Sequence, residues 1–460
     1  MTISSKPHEQ LSWQRLLAYA APTVALQAML VPMYNFLPPA YYEANVGMSV
    51  GLVGLMVFMA RLWEAFSDPM IGAWSDRTAH RFGHRRVWML AGTPIAVLAA
   101  WFLVNPPRGA GGYYLLGWLM IFYLGWSMVY VPHQTWGSEL ASGYDERTRI
   151  AGFRETGAFV GYLCATITPL LYWTYFRGVA EPGFGQIVQA IGVLFMVGMP
   201  LFVLWCFAAV PPTQRNLCEK TPDWRDMIAI LRRNKPFARL LVAYLIDRFA
   251  MGTYFAVQPA LITQVFGLLP SLLVIGLSIT IASAVLAPTW VFIAHRVGKH
   301  RAYCYANVVT LISYAALFFV PHGNLAAVLV VVAVMGLGNG GTMVLPPSMT
   351  ADAIDNDHLL SGTEQAGGHM AFLAFVFKFG MAMGAVVGLT LVLQTFLGYQ
   401  DLQQVLGPRL DQGVRFAGAW LPALMLLVPI VMMWRYPIDS KRHAEIRAAL
   451  AARAGQLAGK

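Results

Sequence analysis

Charged residues and cysteines are scarce in this chain of 460 residues. Asp, Glu, Lys and Arg together make up 12% of the sequence, whereas 57% of it is hydrophobic. A soluble globular protein carries about 25% charged residues, so the scarcity of charge excludes that class. The four cysteines (Cys164, Cys206, Cys218 and Cys304) have no CxxC spacing, and we expect unpaired thiols rather than metal ligands or disulfides.

Sequence signatures of common enzymes are also absent from the chain. It contains no GxxxxGK[ST] phosphate loop, no HExxH zinc motif and no GxSxG nucleophile turn. The glycine-rich segment at 336–343 lies within an apolar run, which favours close packing of helices over a nucleotide loop. We therefore expect a protein that is not an enzyme and that has no cofactor.

Long apolar runs recur from one end of the chain to the other. Each exceeds about 18 residues, which is enough for a helix to cross the hydrocarbon layer of a membrane. They predict an all-α polytopic membrane protein with about 12 transmembrane helices. We place the spans near residues 16–42, 46–75, 87–105, 112–139, 150–176, 185–210, 237–264, 269–295, 302–321, 324–348, 367–397 and 413–435.

Lysine and arginine collect on one side of these spans, and the net charge of the whole chain is +10. Most of them fall in the stretches Arg77–Arg86, Arg147–Arg154, Arg215–Arg239, Arg296–Arg301 and Arg435–Lys460. Because positively charged loops stay on the inner side, both termini are predicted to be cytoplasmic, in an inner (cytoplasmic) membrane. The basic charge therefore reflects topology, and we expect no nucleic-acid partner.

An internal repeat predicts two halves of six spans each. RFGHRR at 81–86 follows the second span and RVGKHR at 296–301 follows the eighth, so both read R-x-G-[HK]-x-R. Repeated halves are typical of transporters whose binding site lies where the halves meet. The tail should form a basic helix along the membrane surface, capped by Asp439 or Ser440. The predicted domains are a six-helix bundle at 1–211, a linker with an interfacial helix at 212–236, a six-helix bundle at 237–435 and a tail at 436–460.

Ionisable residues inside the predicted spans indicate a functional site. Arg61, Glu64 and Asp68 occupy positions i, i+3 and i+7 of the second span, which places them on one face of a helix. A charge at the bilayer centre costs about 2.5–3.5 kcal/mol, so Lys378 on the eleventh span needs a carboxylate partner. The two carboxylates, with the Ser67 hydroxyl, suit either Na⁺ or a proton. The alternative is a fixed ion-pair network of Arg61 with Glu64 and of Asp68 with Lys378.

A second set of ionisable residues lies on the seventh span. Asp247 and Arg248 point about 100° apart on a helix, so we expect that they do not pair on one face. Asp247 shares a face with Tyr254, and both are candidates to line a cavity. Function and simple helix packing are alternatives for this face.

Several ordered segments carry a family resemblance. They are RLWEAFSDPMIGAWSDRTAHRFGHRRVW at 61–88, YVPHQTWGSELASGYDERTRIAGFR at 130–154, NKPFARLLVAYLI at 234–246, and ADAIDNDHLLSGTEQ at 351–365 followed by FKFG at 377–380. With them the chain resembles the glycoside–pentoside–hexuronide:cation symporters, the melibiose-carrier-like branch of the major facilitator superfamily. The segment at 351–365 resembles the loop between that family's tenth and eleventh spans. The resemblance implies the major facilitator fold and transport by alternating access.

The resemblance implies roles for some individual residues, and the positions of others in the sequence suggest theirs. The implied cation ligands are Glu64, Asp68, Ser67 and Ser127, and the coupling counter-charges are Lys378 and Arg61. The candidate substrate contacts are Tyr130, Gln134, Arg154, Gln27, Asp247 and Tyr254. The candidate cytoplasmic gate residues are Asp76, Arg77, Arg85, Glu139 and Arg147, for which topogenic charge is the alternative. Gln27 and Tyr130 stand where the melibiose carriers have sugar-binding acids, so the resemblance carries cation coupling further than sugar identity.

We therefore expect a monomeric secondary transporter in the lipid bilayer. It would couple Na⁺ or H⁺ to the symport of a sugar, glycoside or related small organic solute. The loss of both sugar-site acids motivates one alternative, the transport of an amphipathic or lipid-like solute or the export of drugs. A sensor or partner-binding subunit that does not transport is a further alternative, although such a protein would not need the carboxylates and the lysine.

Overall fold

The computed structural model describes residues 11–35, 41–42, 46–78, 83–140, 144–176, 178, 184–212, 230–268, 271–362, 366–396, 398 and 407–458. Within these ranges the chain forms helices and loops and contains no β-strand. Contacts divide the chain into two compact units, Met1–Glu219 and Lys220–Lys460, which we call the N-terminal and C-terminal units.

Long helices make up both units. Those of the N-terminal unit are α1 (Trp13–Asn35), α2 (Val50–Arg77), α3 (His84–Val104), α4 (Gly112–Glu139), α5 (Tyr144–Leu171) and α6 (Phe184–Ala209). Those of the C-terminal unit are α7 (Lys235–Ala260), α8 (Leu272–Val297), α9 (Lys299–Leu317), α10 (Leu325–Ser361), α11 (Ala366–Val386), α12 (Pro408–Arg415), α13 (Leu421–Trp434) and α14 (Ser440–Ala458). π-Helical segments extend α5 (Tyr172–Phe176), α7 (Leu261–Val265) and α11 (Val387–Phe396), and Phe416–Trp420 joins α12 to α13.

Polar caps begin several of these helices where a loop gives way to an apolar run. Ser49, Asn234 and Asn324 each accept a hydrogen bond from the backbone N–H three residues later, at 3.4, 3.3 and 3.0 Å. Such caps satisfy one of the backbone donors that a helix leaves open at its start. Among the described helices, eight are long and apolar enough to cross a membrane. The predicted all-α polytopic class is confirmed.

The same set of helix pairs is in contact in each unit. In the N-terminal unit the pairs are α1–α5, α1–α6, α2–α4, α3–α4 and α3–α6. In the C-terminal unit they are α7–α11, α7–α13, α8–α10, α9–α10 and α9–α13. Each pair of the first set corresponds to one of the second by its place in the chain. The two units are therefore built to one plan, as the internal repeat predicts.

Glycines with a positive φ angle begin α3 and α9, directly within the two copies of the repeated motif. Gly83 has a φ of 94° and Gly298 has a φ of 89°. A side chain strains the backbone in this region, whereas glycine adopts it readily. The shared glycine therefore makes the same sharp entry into the third helix of each unit.

The glycine-rich segment of α10 packs closely against its neighbours. A Cβ on Gly336 would lie 2.8 Å from the carbonyl oxygen of Ile279 on α8. A Cβ on Gly338 would lie 2.8 Å from the backbone nitrogen of Thr310 on α9. These separations leave no room for side chains, and the prediction of close helix packing at 336–343 is confirmed.

The end of the tenth span differs from the prediction. The expected loop at 351–365 is wrong for its first part, because α10 continues to Ser361 and ends before Gly362, which has a φ of 75°. Its acidic residues are paired with basic ones at this end of the unit. Asp352 lies 2.6 Å from the Lys299 ammonium, and Asp357 lies 2.7 Å from the Arg233 guanidinium. These pairs explain how a charged sequence continues the helix.

The C-terminal helix α14 is anchored to the C-terminal unit. Asp439 caps it, since its carboxylate accepts a hydrogen bond from the backbone N–H of Arg442 at 2.8 Å. Ile446 is 1% exposed and packs in the same core cluster as Tyr436. The helix thus docks against α10 rather than lying on a surface by itself. Most of the interfacial helix predicted for the linker lies outside the described residues, and the predicted domain boundaries stay a prediction.

Candidate functional site

Arg61 and Glu64 form a buried ion pair on α2. Their Nη1 and Oε2 atoms are 2.8 Å apart, and the side chains are 4% and 3% exposed. The i, i+3 spacing places both on one face of the helix. The guanidinium also lies over the ring of Tyr123 on α4, 4.5 Å from its centroid. This contact between Arg61 and Glu64 is the one that the ion-pair alternative predicts.

Asp68, two turns along α2 from Arg61, contacts α4. The buried Ser127 hydroxyl donates a hydrogen bond to Oδ1 of Asp68, and the Asp68 side chain is half-buried. Tyr123 and Ser127 are one turn apart on α4. The 61–123 and 68–127 contacts therefore join matching faces of α2 and α4, which run in the same direction.

The residues predicted to bind a cation are thus assembled on two adjacent helices. Ser67 is 2% exposed, and its hydroxyl donates to the carbonyl oxygen of Glu64 at 3.2 Å. Carboxylate, hydroxyl and carbonyl oxygens are the donors that hard cations prefer. A buried carboxylate also needs a compensating positive charge, which Arg61 provides for Glu64. The arrangement suits the binding of a monovalent cation or a proton near Asp68.

Lys378 lies on α11 with a half-buried side chain. Its helix contacts α7 at close range because glycines on both helices leave room for the neighbouring helix. A Cβ on Gly380 would lie 2.9 Å from Cβ of Arg248, and one on Gly252 would lie 2.9 Å from the carbonyl carbon of Met381. The position of the lysine is therefore tied to that of α7. Its role as a coupling counter-charge stays a prediction.

The candidate substrate contacts of the N-terminal unit lie on three helices. Tyr130 on α4 is half-buried and stacks on Trp126, with ring centroids 6.4 Å apart. Gln134 is exposed one turn later, and Gln27 on α1 is half-buried. Arg154 on α5 pairs with Glu155 at 2.7 Å, and the glutamate side chain is 67% exposed. Their part in binding a solute stays a prediction.

The prediction that Asp247 and Arg248 do not pair is wrong. Nη2 of Arg248 lies 3.0 Å from both carboxylate oxygens of Asp247. The two Cβ atoms point apart, but the arginine side chain is long enough to bend back to its neighbour. Asp247 and Tyr254, both predicted substrate contacts, are 3% and 1% exposed. Neither is open to a solute in this conformation.

Two of the predicted gate residues form an ion pair in the N-terminal unit. Nη2 of Arg85, at the start of α3, lies 2.9 Å from Oε1 of Glu139, at the end of α4. Nη1 of Arg85 donates to the Ser75 hydroxyl on α2 at 2.6 Å. Arg77 is exposed, and the side chains of Asp76 and Arg147 lie outside the described part of the structure. A gating role for this set stays a prediction.

The C-terminal unit carries a related network after its own copy of the motif. Lys299 follows Gly298 and binds Asp352 on α10, the counterpart of α4. His443 on α14 lies 2.9 Å from Asp355, and Arg233 binds Asp357. The hydrogen bond from Arg233 to Asp357 raises the pKa of the guanidinium.

Sequence reasoning missed several members of these sites. Tyr123 is four residues before Ser127, and this spacing on one helix face is a signal that could have identified it. Thr342 accepts a hydrogen bond from Nη2 of Arg248 at 2.6 Å, and its hydroxyl interrupts the glycine-rich segment, which is a weaker signal. Nothing in the sequence distinguishes Ser75, or Tyr303, which donates a hydrogen bond to Asp247, from ordinary helix residues. Each contacts its partner only because separate helices pack together.

The fold and the site together define a class of protein. Long apolar helices built as two units on one plan, with ion pairs and carboxylates buried in them, are typical of secondary transporters. The chain is an integral, multi-pass membrane protein.

The family follows from comparison with known sequences. Residues 18–440 match the MFS/sugar transport protein family, so the chain belongs to that family. The expected membership of the glycoside–pentoside–hexuronide:cation symporters is confirmed. The protein is a symporter-type transporter of the major facilitator superfamily and not an enzyme.

Individual relatives cover most of the chain. It is 25% identical to the glucuronide carrier protein homolog of Escherichia coli (strain K12) over 95% of both chains. It is 22% identical to the sodium-dependent lysophosphatidylcholine symporter 1 of Homo sapiens over 86% of this chain and 78% of that one. A crystal structure of a bacterial homolog of the human lysosomal transporter Spinster shares the fold, with a TM-score of 0.70, 14% identity and coverage of 96% and 99%.

Proposed function

We propose that the protein couples Na⁺ or H⁺ to the symport of a sugar-like organic solute by alternating access. The protein would act as a monomer in the inner membrane, with both termini in the cytoplasm. Asp68 is the principal cation ligand, and Glu64, Ser67 and Ser127 supply further oxygens. No cofactor beyond the coupling ion is required.

One observation carries this proposal: the hydrogen bond from Ser127 to Asp68, next to the Arg61–Glu64 pair. It brings a carboxylate of α2 and a hydroxyl of α4 together inside the unit. The half-buried carboxylate of Asp68 has a stronger need for a cation than a solvated one would have. Arg61 compensates the charge of Glu64 before any ion binds. The buried Glu64 carboxylate is therefore stable in the cation-free protein.

The coupling step assigns a role to Lys378. Lys378 is the counter-charge of the coupling cycle: binding of the cation at Asp68 changes the electrostatic potential that acts on its ammonium. Only the cation-filled or fully compensated site then passes through a closed, dry conformation. The energy for transport comes from the difference in cation affinity between the two conformations.

The relatives favour a sugar-like solute, with a lipid-like one as a second candidate. A glucuronide carrier homolog matches nearly the whole chain, whereas the lysophosphatidylcholine symporters match most of it. A shallow, open apolar depression lies on α8 beside α10 and is lined by Ala284, Ala287, Pro288, Val291, Phe292, His295 and Val344. It is compatible with an acyl chain, whether of a solute or of the bilayer, so the second candidate rests on the relatives.

A ligand screen on purified protein tests the proposal. Thermal unfolding is measured with glycosides, uronates or lysophosphatidylcholine, each with and without Na⁺ and across a pH series. We expect that one solute class raises the unfolding temperature only when the coupling cation is present. Asp68→Asn should abolish the cation-dependent part, whereas Glu445→Gln, at an exposed position of α14, should not. A shift in the parent protein that is equal with and without every cation contradicts cation coupling.

A further inference from the structure

The buried pair of Asp247 and Arg248 connects most of the C-terminal unit. Their side chains are 5% and 1% exposed, respectively, so water screens neither charge. The Tyr303 hydroxyl of α9 donates to Oδ2 of Asp247 at 2.8 Å. Nη2 of Arg248 donates to the Thr342 hydroxyl of α10 at 2.6 Å. One charged pair on α7 thus binds α9 and α10 by hydrogen bonds.

The same arginine also lies against α11, at the turn that contains Lys378. Its guanidinium carbon is 5.7 Å from the ring centroid of Phe377, the residue before the lysine. The close approach of Gly380 to Arg248 brings the backbones of α7 and α11 together two residues after the lysine. Arg248 therefore flanks the helical turn that carries Lys378.

Stability alone is a weak reason for such a pair. The desolvation of two charges offsets most of their attraction, and apolar replacements of buried pairs are often neutral or stabilising. Losing one partner is a different matter, because the remaining charge stays in a medium of low dielectric constant. Without Asp247, the Arg248 guanidinium would present an uncompensated positive charge beside the turn of Lys378.

We propose that the Asp247–Arg248 pair is a positioning element for Lys378. It fixes the part of α7 on which the lysine's turn packs, and it cancels the guanidinium charge beside that turn. Lys378 can then respond to the charge of its coupling partner rather than to that of Arg248. This inference rests on the proposed function, in which Lys378 is the coupling counter-charge.

The reactivity of the lysine amine provides a test that needs neither a solute nor transport. The full-length protein in detergent is given short pulses of acetic anhydride across a pH series, and acetylation of Lys378 is measured by peptide mass spectrometry. The exposed Lys441 serves as an internal reference. The variants are Asp247→Asn, Arg248→Gln and the two combined. Asp411→Asn is the matched control, since it removes the acidic partner of another arginine of this unit.

The two single variants should change the reactivity in opposite directions. Only the neutral amine reacts, and a bare guanidinium disfavours the protonated form, so Asp247→Asn should raise the Lys378 rate about three- to ten-fold at neutral pH. Arg248→Gln leaves a bare carboxylate and should lower the rate by a similar factor of about three to ten. The combined variant should stay within about two-fold of the parent, because no net charge is left. The control should not change.

A purely structural role gives a different pattern. Loosening of the helices would move both single variants in the same direction and the combined variant at least as far. That result, or unchanged rates in all variants, would overturn the proposal. If one single variant does not fold, the other two variants test the proposal. The remaining single variant must change the Lys378 rate in its expected direction, and the combined variant must return to the parent rate. The proposed function has a separate test in the ligand screen. It fails if the Asp68→Asn variant keeps the cation-dependent rise in unfolding temperature.

Discussion

Glu64→Gln offers a quantitative test of the buried pair on α2. At the observed 2.8 Å separation, the attraction is about 6 kcal/mol for an effective dielectric constant near 20. Loss of one partner of a buried pair typically costs about 3–5 kcal/mol. The Tyr123 ring stays against the guanidinium in the variant and stabilises its charge by about 1 kcal/mol. The charge is therefore not left wholly uncompensated, and the lower part of this range applies. We therefore expect a net destabilisation of about 2–4 kcal/mol.

The corresponding shift is large enough to measure. A unit of this size changes its unfolding temperature by about 2–4 °C per kcal/mol, so Glu64→Gln should unfold roughly 5–15 °C below the parent. The assay is intrinsic fluorescence during heating of purified protein in detergent, at one fixed heating rate. The control is Arg61→Met combined with Glu64→Gln, which removes both charges and should recover most of the loss.

Two outcomes would refute this reasoning. An unfolding temperature of Glu64→Gln within about 2 °C of the parent would mean that the guanidinium is solvated or paired elsewhere. A combined variant as unstable as the single one would mean that packing, not charge, accounts for the effect. Either result would contradict the assignment of Arg61 as the compensating charge for Glu64 in the cation site.

Three further predictions concern other parts of the structure. Ser127→Ala removes the hydroxyl that donates to Asp68 and should raise the cation concentration for half-maximal stabilisation about five-fold; Thr156→Val, at an exposed site, should not. Glu139→Gln leaves the buried Arg85 without its half-buried counter-charge and should lower the unfolding temperature by roughly 5–10 °C; an unchanged value would contradict the pair. Ile446→Ser buries a hydroxyl in an apolar contact and should speed hydrogen exchange of α14 about ten-fold, measured by mass spectrometry; equal exchange would show that the helix is not docked there.

Much of the fold could be predicted from patterns that are local in the sequence. Apolar runs marked the spans, and the repeated R-x-G-[HK]-x-R motif indicated two units on one plan. The positive φ angles of Gly83 and Gly298 show why glycine stands at both copies. Helix ends beyond the apolar runs were harder to predict. The extension of α10 to Ser361 depends on ion pairs with Lys299 and Arg233, which are distant in sequence.

The candidate site was predictable where its residues share one helix. The i, i+3 and i+7 spacing of Arg61, Glu64 and Asp68 is sufficient to place all three on a common face. The pairing of Asp247 with Arg248 was missed because helical geometry gives the direction of Cβ but not the reach of a long side chain. Contacts between helices, such as the hydrogen bond that Asp247 accepts from α9, have no local signal.

Accumulation of solute by Asp68→Asn in proteoliposomes tests the central claim most directly. The solute found by the ligand screen is supplied with an inward gradient of the coupling cation, and its uptake is followed with and without that gradient. The account predicts that the variant still equilibrates the solute but no longer concentrates it, whatever the gradient. Accumulation against a concentration gradient, with the parent's dependence on the cation, would contradict the assignment of Asp68 as the coupling carboxylate.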